Sequence, residues 1–330
     1  MPTFCRHNRF LERCPVCSKA LVSQTPAKVA QPRRSGAGSK RTAQAKRAHQ
    51  RERLRVIHEL RASDDGYRCG LVPGLRSSED AEHLAVEIGF SSGRLRGLER
   101  SPPGVYGDAR ALAAADIEQA SWICFLASYI SPLQGEDPFA GIRVALERAG
   151  DWHAGRLPDL DEVQLGPRTS HDPERGSGTL AAYRRWAEQA SSQAAGFRGE
   201  FGWSPERRFE RVFERLALPH FDRSVRFELL LTLGALGLYE LRADSLHLLG
   251  ASGRGGDDAT TIAAKRVFAI GDTLNLTRRS AALADAVAIP IGVLDLALAN
   301  WGSGERVTLG FPVETNDPDA LQRARGALAL

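Results

Sequence analysis

The sequence predicts an all-α fold, on three observations. The stretch "DIEQASWICFLASYI" (116–130) is apolar almost all the way round, the mark of a helix buried on every side. In "SPERRFERVFERLAL" (204–218), Ser204 suits an N-cap, Pro205 the first helical position and Glu206 the first turn. Its Phe209, Val212, Phe213 and Leu216 then follow the i, i+3, i+4, i+7 spacing of one buried stripe. Finally, no stretch alternates apolar and polar residues for long enough to build a sheet.

Taken in order, residues 1–20 hold a Cys/His cluster, and 21–45 are rich in Pro, Gly, Ser and Ala, as a linker is. A helical pattern with Leu54, Ile57 and Leu60 on one face covers about 46–61, so 21–61 is predicted as a basic linker and arm. Helices are expected at 116–130, 179–195, from Ser204, and at 222–233, 259–270, 276–288 and 291–300. The polar stretch 150–178 shows no period and is expected to be an irregular excursion between two helical lobes. The helical domain is drawn as 62–310, with 311–330 as a C-terminal tail.

Of the 330 residues, 42% are hydrophobic, enough for a substantial core. No apolar run is long enough to span a membrane, and no secretory signal is evident. Five cysteines, three of them clustered, do not read as a disulfide framework, so a reducing cytoplasm is the expected compartment. The net charge of +4 conceals an asymmetry: 1–27 carries +3, 28–61 carries +9, and the remainder carries −8. Such a basic arm points to a polyanionic partner, DNA above all, although a solvated linker would have the same composition. The protein is expected to be a monomer.

Cys5, His7, Cys14 and Cys17 supply four soft ligands within thirteen residues. A C-P-x-C turn aims two thiolates at one ion, and a closed four-ligand set is the structural form of a Zn2+ site. The competing reading is a redox C-x-x-C pair, but no α/β surroundings accompany it.

Four stretches carry a resemblance when read together: 116–142, 227–249, 263–286 and "VLDLALANWG" (293–302). They resemble the helix-hairpin-helix DNA glycosylase superfamily, in particular its divergent branch of α-glutamyl/putrescinyl thymine pyrophosphorylase-like proteins. The resemblance implies two helical lobes with a cleft, a glycine hairpin offering N–H groups to a DNA phosphate, and a flipped target nucleotide. It also implies an aspartate after the hairpin, or in some members a lysine nucleophile. Two hairpins are candidates: Gly234–Gly237, and the Gly250–Gly256 stretch that carries Arg254 and Gly255. The aspartate in the matching order is Asp272, with Leu274 where the motif has a basic or polar residue; Asp258 is the alternate. Helix capping alone would also account for both aspartates.

Lys265 is the candidate nucleophile, with phosphate or solvent contact as its plainer role. Arg266, Arg278 and Arg279 complete a basic group around Asp272. Arg278 and Arg279 fall early in a predicted helix, where cations oppose the helix dipole by about 0.3–1 kcal/mol each, so they are read as DNA contacts. Trp122, Gln134 and Asp137 are candidates to hold a flipped base. Core packing is the plainer reading of the first, and a turn that of the other two. Asp295 and Asn300 read as buried hydrogen-bond partners. These features predict a DNA glycosylase-like enzyme that excises a modified base, in repair or anti-phage defence. A base-modifying pyrophosphorylase-like transferase and a non-catalytic DNA-binding protein remain alternatives.

Overall fold

A computed structural model describes residues 63–248 and 258–330, and all regular structure among them is helical. The helices are α1 (Ser78–Arg100), α2 (Gly104–Leu112), α3 (Ile117–Ile130), α4 (Ala140–Ala149), α5 (Gly178–Gln189) and α6 (Gln193–Arg198). They continue as α7 (Pro205–Arg215), α8 (Arg223–Ala235), α9 (Ala259–Phe268), α10 (Thr273–Val287), α11 (Val293–Ser303) and α12 (Pro318–Leu328).

The boundaries follow local chemistry. The Ser204 side chain accepts from Arg207 N with Pro205 in the first turn, as the sequence predicts. Asp116, Asp258, Asp272 and Asp317 cap their helices in the same way, each accepting a backbone N–H three residues on. The Asp272 cap starts α10 at Thr273, three residues before the predicted start. The predicted 179–195 helix breaks at Ala190–Ser192, where Ser191 has φ +77° and Ser192 caps α6.

Two groups of helices emerge from which element packs on which. In one, α1 lies against α11 and α12, α9 against α11, and α10 against α9 and α12. In the other, α3 packs on α2, α4, α6 and α8, while α5, α6 and α7 continue in sequence to α8. Contact between α8 and α1 joins them, and one contiguous apolar core runs through both. The excursion at 150–178 contains only two 3-10 turns, Trp152–Ala154 and Pro173–Arg175. It links α4 to α5, both in the second group, and its Arg168 reaches Asp295 on α11 of the first.

Two elements differ from expectation. Residues 311–330 are not a loose tail, because α12 buries Ala320, Ala324 and Leu328 against the body. The longest helix, α1, lies in a stretch with no predicted element. Its middle, "GFSSGRLRG", looks like a turn, but Gly89, Gly93 and Gly97 fall on one face. A Cβ at Gly89 would sit 2.6 Å from the Asn316 side chain, one at Gly93 2.6 Å from the Asn316 backbone, and one at Gly97 inside the Phe311 ring. The glycines therefore admit the 311–321 segment onto the helix, at a propensity cost of roughly 1 kcal/mol each.

The Gly234–Gly237 candidate is not a hairpin between helices. Gly234 ends α8 against the Leu241 carbonyl, Gly237 turns at φ +74°, and no helix follows through residue 248. The second candidate, with Arg254 and Gly255, lies outside the described residues. So do Cys5, His7, Cys14 and Cys17.

Candidate functional site at the seam between helix groups

The seam contains a buried ionic network. Asp295, in the first turn of the apolar α11, is 1% exposed. One carboxylate oxygen accepts from Arg223 on α8, and the other accepts from Arg168 Nη2 at 3.1 Å. Arg223 also donates to Leu246 O at 2.7 Å, and its Nε lies 3.1 Å from the Asp258 carboxylate. Asp258 accepts in turn from Thr261 Oγ1 at 2.6 Å. Burial by itself would raise the Asp295 carboxyl, but attraction to Arg223 and Arg168 outweighs it and holds the carboxyl below its ordinary value of 3.8. The same seam carries a second buried pair, Arg94 on α1 with Glu228 on α8; Glu228 also accepts from Thr232 Oγ1 at 3.0 Å.

Asp222 stands in front of this network, one residue before α8. It occupies the N-cap position, yet its side chain makes no capping hydrogen bond, unlike Asp116, Asp258, Asp272 and Asp317. Its backbone N–H donates to Ser170 Oγ at 3.1 Å. The residue is exposed overall, yet its carboxyl is partly desolvated. That desolvation, reinforced by the Asp258 charge, raises the carboxyl above 3.8 despite the Ser170 hydrogen bond and the Arg226 charge. A carboxyl with a raised pKa is a candidate for proton transfer. Next to Ser170, the buried His171 is hydrogen-bonded through Nδ1 to Tyr129 Oη at 3.1 Å, and burial lowers its pKa.

A cavity of about 10 Å³ opens inside the seam, lined by Tyr106, Ser128, Ser131, Arg168, Glu228 and Leu309 among others. Ser128 Oγ and Arg168 Nη1 are buried at its wall without a protein partner. Ser131 (φ +65°) and Leu309 (φ +50°) hold left-handed backbone beside it, a strain that clusters at functional sites.

The basic candidates lie elsewhere. Lys265 and Arg266, near the end of α9, line a groove of about 470 Å³ with Arg76, Gly74 and Ile262. The loop carrying Arg76 is stitched to the α9 terminus by Gly74 N donating to Val267 O at 2.9 Å. A side chain at Gly74 would collide with the Arg266 carbonyl. Arg279 donates to Gly70 O at 3.3 Å from the adjoining α10, and Arg278 is exposed on the same helix. The groove thus brings the side chains of Lys265, Arg266 and Arg76 to one surface.

The remaining candidates sit apart from the network. Asp272 is exposed, and its carboxylate accepts from Asn275 N at 2.9 Å, a capping role. Trp122 is 1% exposed and stacks among Phe125, Trp152 and Tyr183, so it packs the core of the second group. Gln134 accepts from Thr308 Oγ1 at 3.2 Å, and Asp137 pairs with Arg143; both belong to the turn closed by Leu133 N and Pro138 O. Of the acidic candidates, the structure brings only Asp258 into the seam. It adds Arg168, His171, Asp222 and Arg223, which spacing did not single out. A signal was present in "VLDLALAN": a carboxylate in an apolar helix needs a cationic partner, and "FDRS" offers one beside a helix start.

Residues 168–308 match the family described as Alpha-glutamyl/putrescinyl thymine pyrophosphorylase clade 3. The match spans less than half of the chain and begins at Arg168, the outer partner of Asp295. No curated protein and no solved structure matches. Among the described residues no group of His, Cys, Asp and Glu could hold a metal ion, and no helix is long and apolar enough to cross a membrane.

Proposed function

We propose that this protein is a base-modifying transferase acting on DNA. In this reading an amine displaces diphosphate from the 5-methylene group of a hydroxymethylated pyrimidine. The observation that carries it is the coincidence of the match with the seam: residues 168–308 enclose Arg168, His171, Asp222, Arg223, Asp258 and Asp295. The reaction breaks the C–O bond to diphosphate, forms a C–N bond and releases one proton from the amine. Asp222 takes that proton, a role suited to an accessible carboxylate with a raised pKa. Arg223, neutralised by Asp258 and Asp295, holds the α8 start in place and is a positioning residue. Arg76, Lys265 and Arg266 offer the cationic surface for DNA phosphate. The +12 segment at 1–61 supplies non-specific grip, and Cys5, His7, Cys14 and Cys17 hold one structural Zn2+ within it.

The test uses DNA carrying a diphosphorylated 5-hydroxymethylpyrimidine, with glutamate or putrescine as the amine. Mass spectrometry of the digested nucleosides should show an amine adduct, with one pyrophosphate released per adduct. Abasic sites and free base would instead establish excision, and binding without any product would leave a DNA-binding protein.

A further inference from the structure

The loop between α6 and α7 displays an aromatic ring in full contact with solvent. Phe201 has a relative exposure of 107%, the highest of the exposed large apolar side chains among the described residues, where none of the others is aromatic. Exposing a Phe forgoes the favourable burial that the rest of the core exploits. The turn itself does not call for it. Trp203 N donates to Glu200 O at 3.3 Å, and Gly202 takes the third position at φ +87°, where glycine is favoured. Phe201 occupies the second position, which tolerates most polar residues.

Around the tip, the loop is fastened down. Arg208 donates to Arg198 O at 2.7 Å, Trp203 O at 3.2 Å and Glu240 O at 2.9 Å, tying both sides of the loop to one guanidinium. The Trp203 ring covers Gly199, where a Cβ would enter it, and Arg215 lies over the Trp203 ring at 5.1 Å. The ring of Phe201 is therefore presented on a preorganised support. Beside it lies a groove of about 670 Å³, walled by Trp203, Leu238 and Tyr239. The charges lining it, Arg198 and Arg208 against Glu200 and Glu240, cancel. A neutral, aromatic-walled groove suits the face of a ring, whereas phosphate suits the cationic groove at Arg76, Lys265 and Arg266.

We propose that Phe201 and this groove receive an unpaired nucleobase of DNA, with Phe201 stacking on the base. The inference rests on the DNA substrate proposed above. Base–aromatic stacking tolerates every base, because each has a π-face, and removing one stacking partner weakens binding by about 5–150-fold.

The experiment compares two single strands of equal length and charge, oligothymidine and a tetrahydrofuran strand without bases, using the full chain. Phe201→Ala should bind oligothymidine about tenfold more weakly and the base-free strand unchanged, with the same slope of affinity against salt. Phe201→Trp should restore binding. The thermal midpoint should stay that of the wild type, since the ring contacts solvent. Equal affinity of Phe201→Ala and wild type for oligothymidine, or equal losses on both strands, would overturn the proposal and leave the transferase reading untouched. Failure of the wild type to bind either strand would overturn the DNA substrate itself.

Discussion

Asp295 on α11 and Arg223 on α8 form an ion pair across the seam, with each side chain no more than 2% exposed. Asp295 faces both Arg223 and Arg168, so removing its charge leaves two cations at the seam with Asp258 as the remaining carboxylate of the network, a loss on the order of 3–5 kcal/mol. Asp295→Asn is therefore expected to lower stability by that amount in urea unfolding at pH 7. The Asp295 carboxyl lies below 3.8 when folded, so the pair's contribution is complete above about pH 4. It is lost as pH falls through the lowered value. The deficit of Asp295→Asn should stay constant from pH 8 to 5 and shrink only in stronger acid.

Arg94 and Glu228 make the second buried pair, between α1 and α8. Arg94→Met should cost about 3–5 kcal/mol, because it leaves the buried Glu228 carboxyl without its cationic partner and with Thr232 Oγ1 still bonded to it. The double variant Arg94→Met/Glu228→Leu should recover most of that loss. A double variant no more stable than Arg94→Met would refute an isolated pair.

Asp222 should govern the acidic limb of the pH–rate profile. With a carboxyl raised above 3.8, it loses its proton-accepting form at a higher pH than an ordinary aspartate. Asp222→Asn is expected to reduce kcat by about 10²–10⁴ and to abolish that limb, with thermal stability close to wild type. A retained limb in Asp222→Asn would assign the proton to another group.

His171 and His247 both have pKa values lowered by burial below 6.5. Unfolding in mild acid lets them bind protons, so their contribution is complete above pH 6.5 and declines as pH falls towards their lowered values. Urea midpoints should decrease between pH 7.5 and 5, and His171→Gln should flatten the slope. Nuclear magnetic resonance titration should place both imidazoles below 6.5.

The Cys5, His7, Cys14 and Cys17 set should bring one zinc per chain. Elemental analysis of the purified protein should give close to one equivalent, and Cys14→Ser should lower it. Less than a tenth of an equivalent in the wild type would remove zinc from the proposal.

The all-α class was legible because helix periodicity and caps are local. Ser204–Pro205–Glu206 and the stripe at 209–216 needed no tertiary information. By contrast, α1 was hidden, since its glycines make sense only beside Asn316 and Phe311, more than two hundred residues away in the sequence. The site was legible in the same uneven way. Asp258 could be named from its place after a glycine-rich run, but its partner Arg223 could not, because the contact depends on how α8 and α9 pack. Asp272 had the expected order in the chain and proved to be a cap. Asp222 was missed because an Asp before a helix looks like a cap, and only the structure shows its carboxylate without that duty.

The pairing of α1 with α12 also sets an order of assembly. Arg325 on α12 donates to Glu82 on α1 at 3.0 Å across 243 residues of sequence, and Tyr67 Oη donates to Leu328 O. As the chain leaves the ribosome, α2–α8 can gather around α3 while the parts of α1 that meet α11 and α12 are still uncovered. At roughly 5–20 residues per second that interval lasts on the order of ten seconds or more.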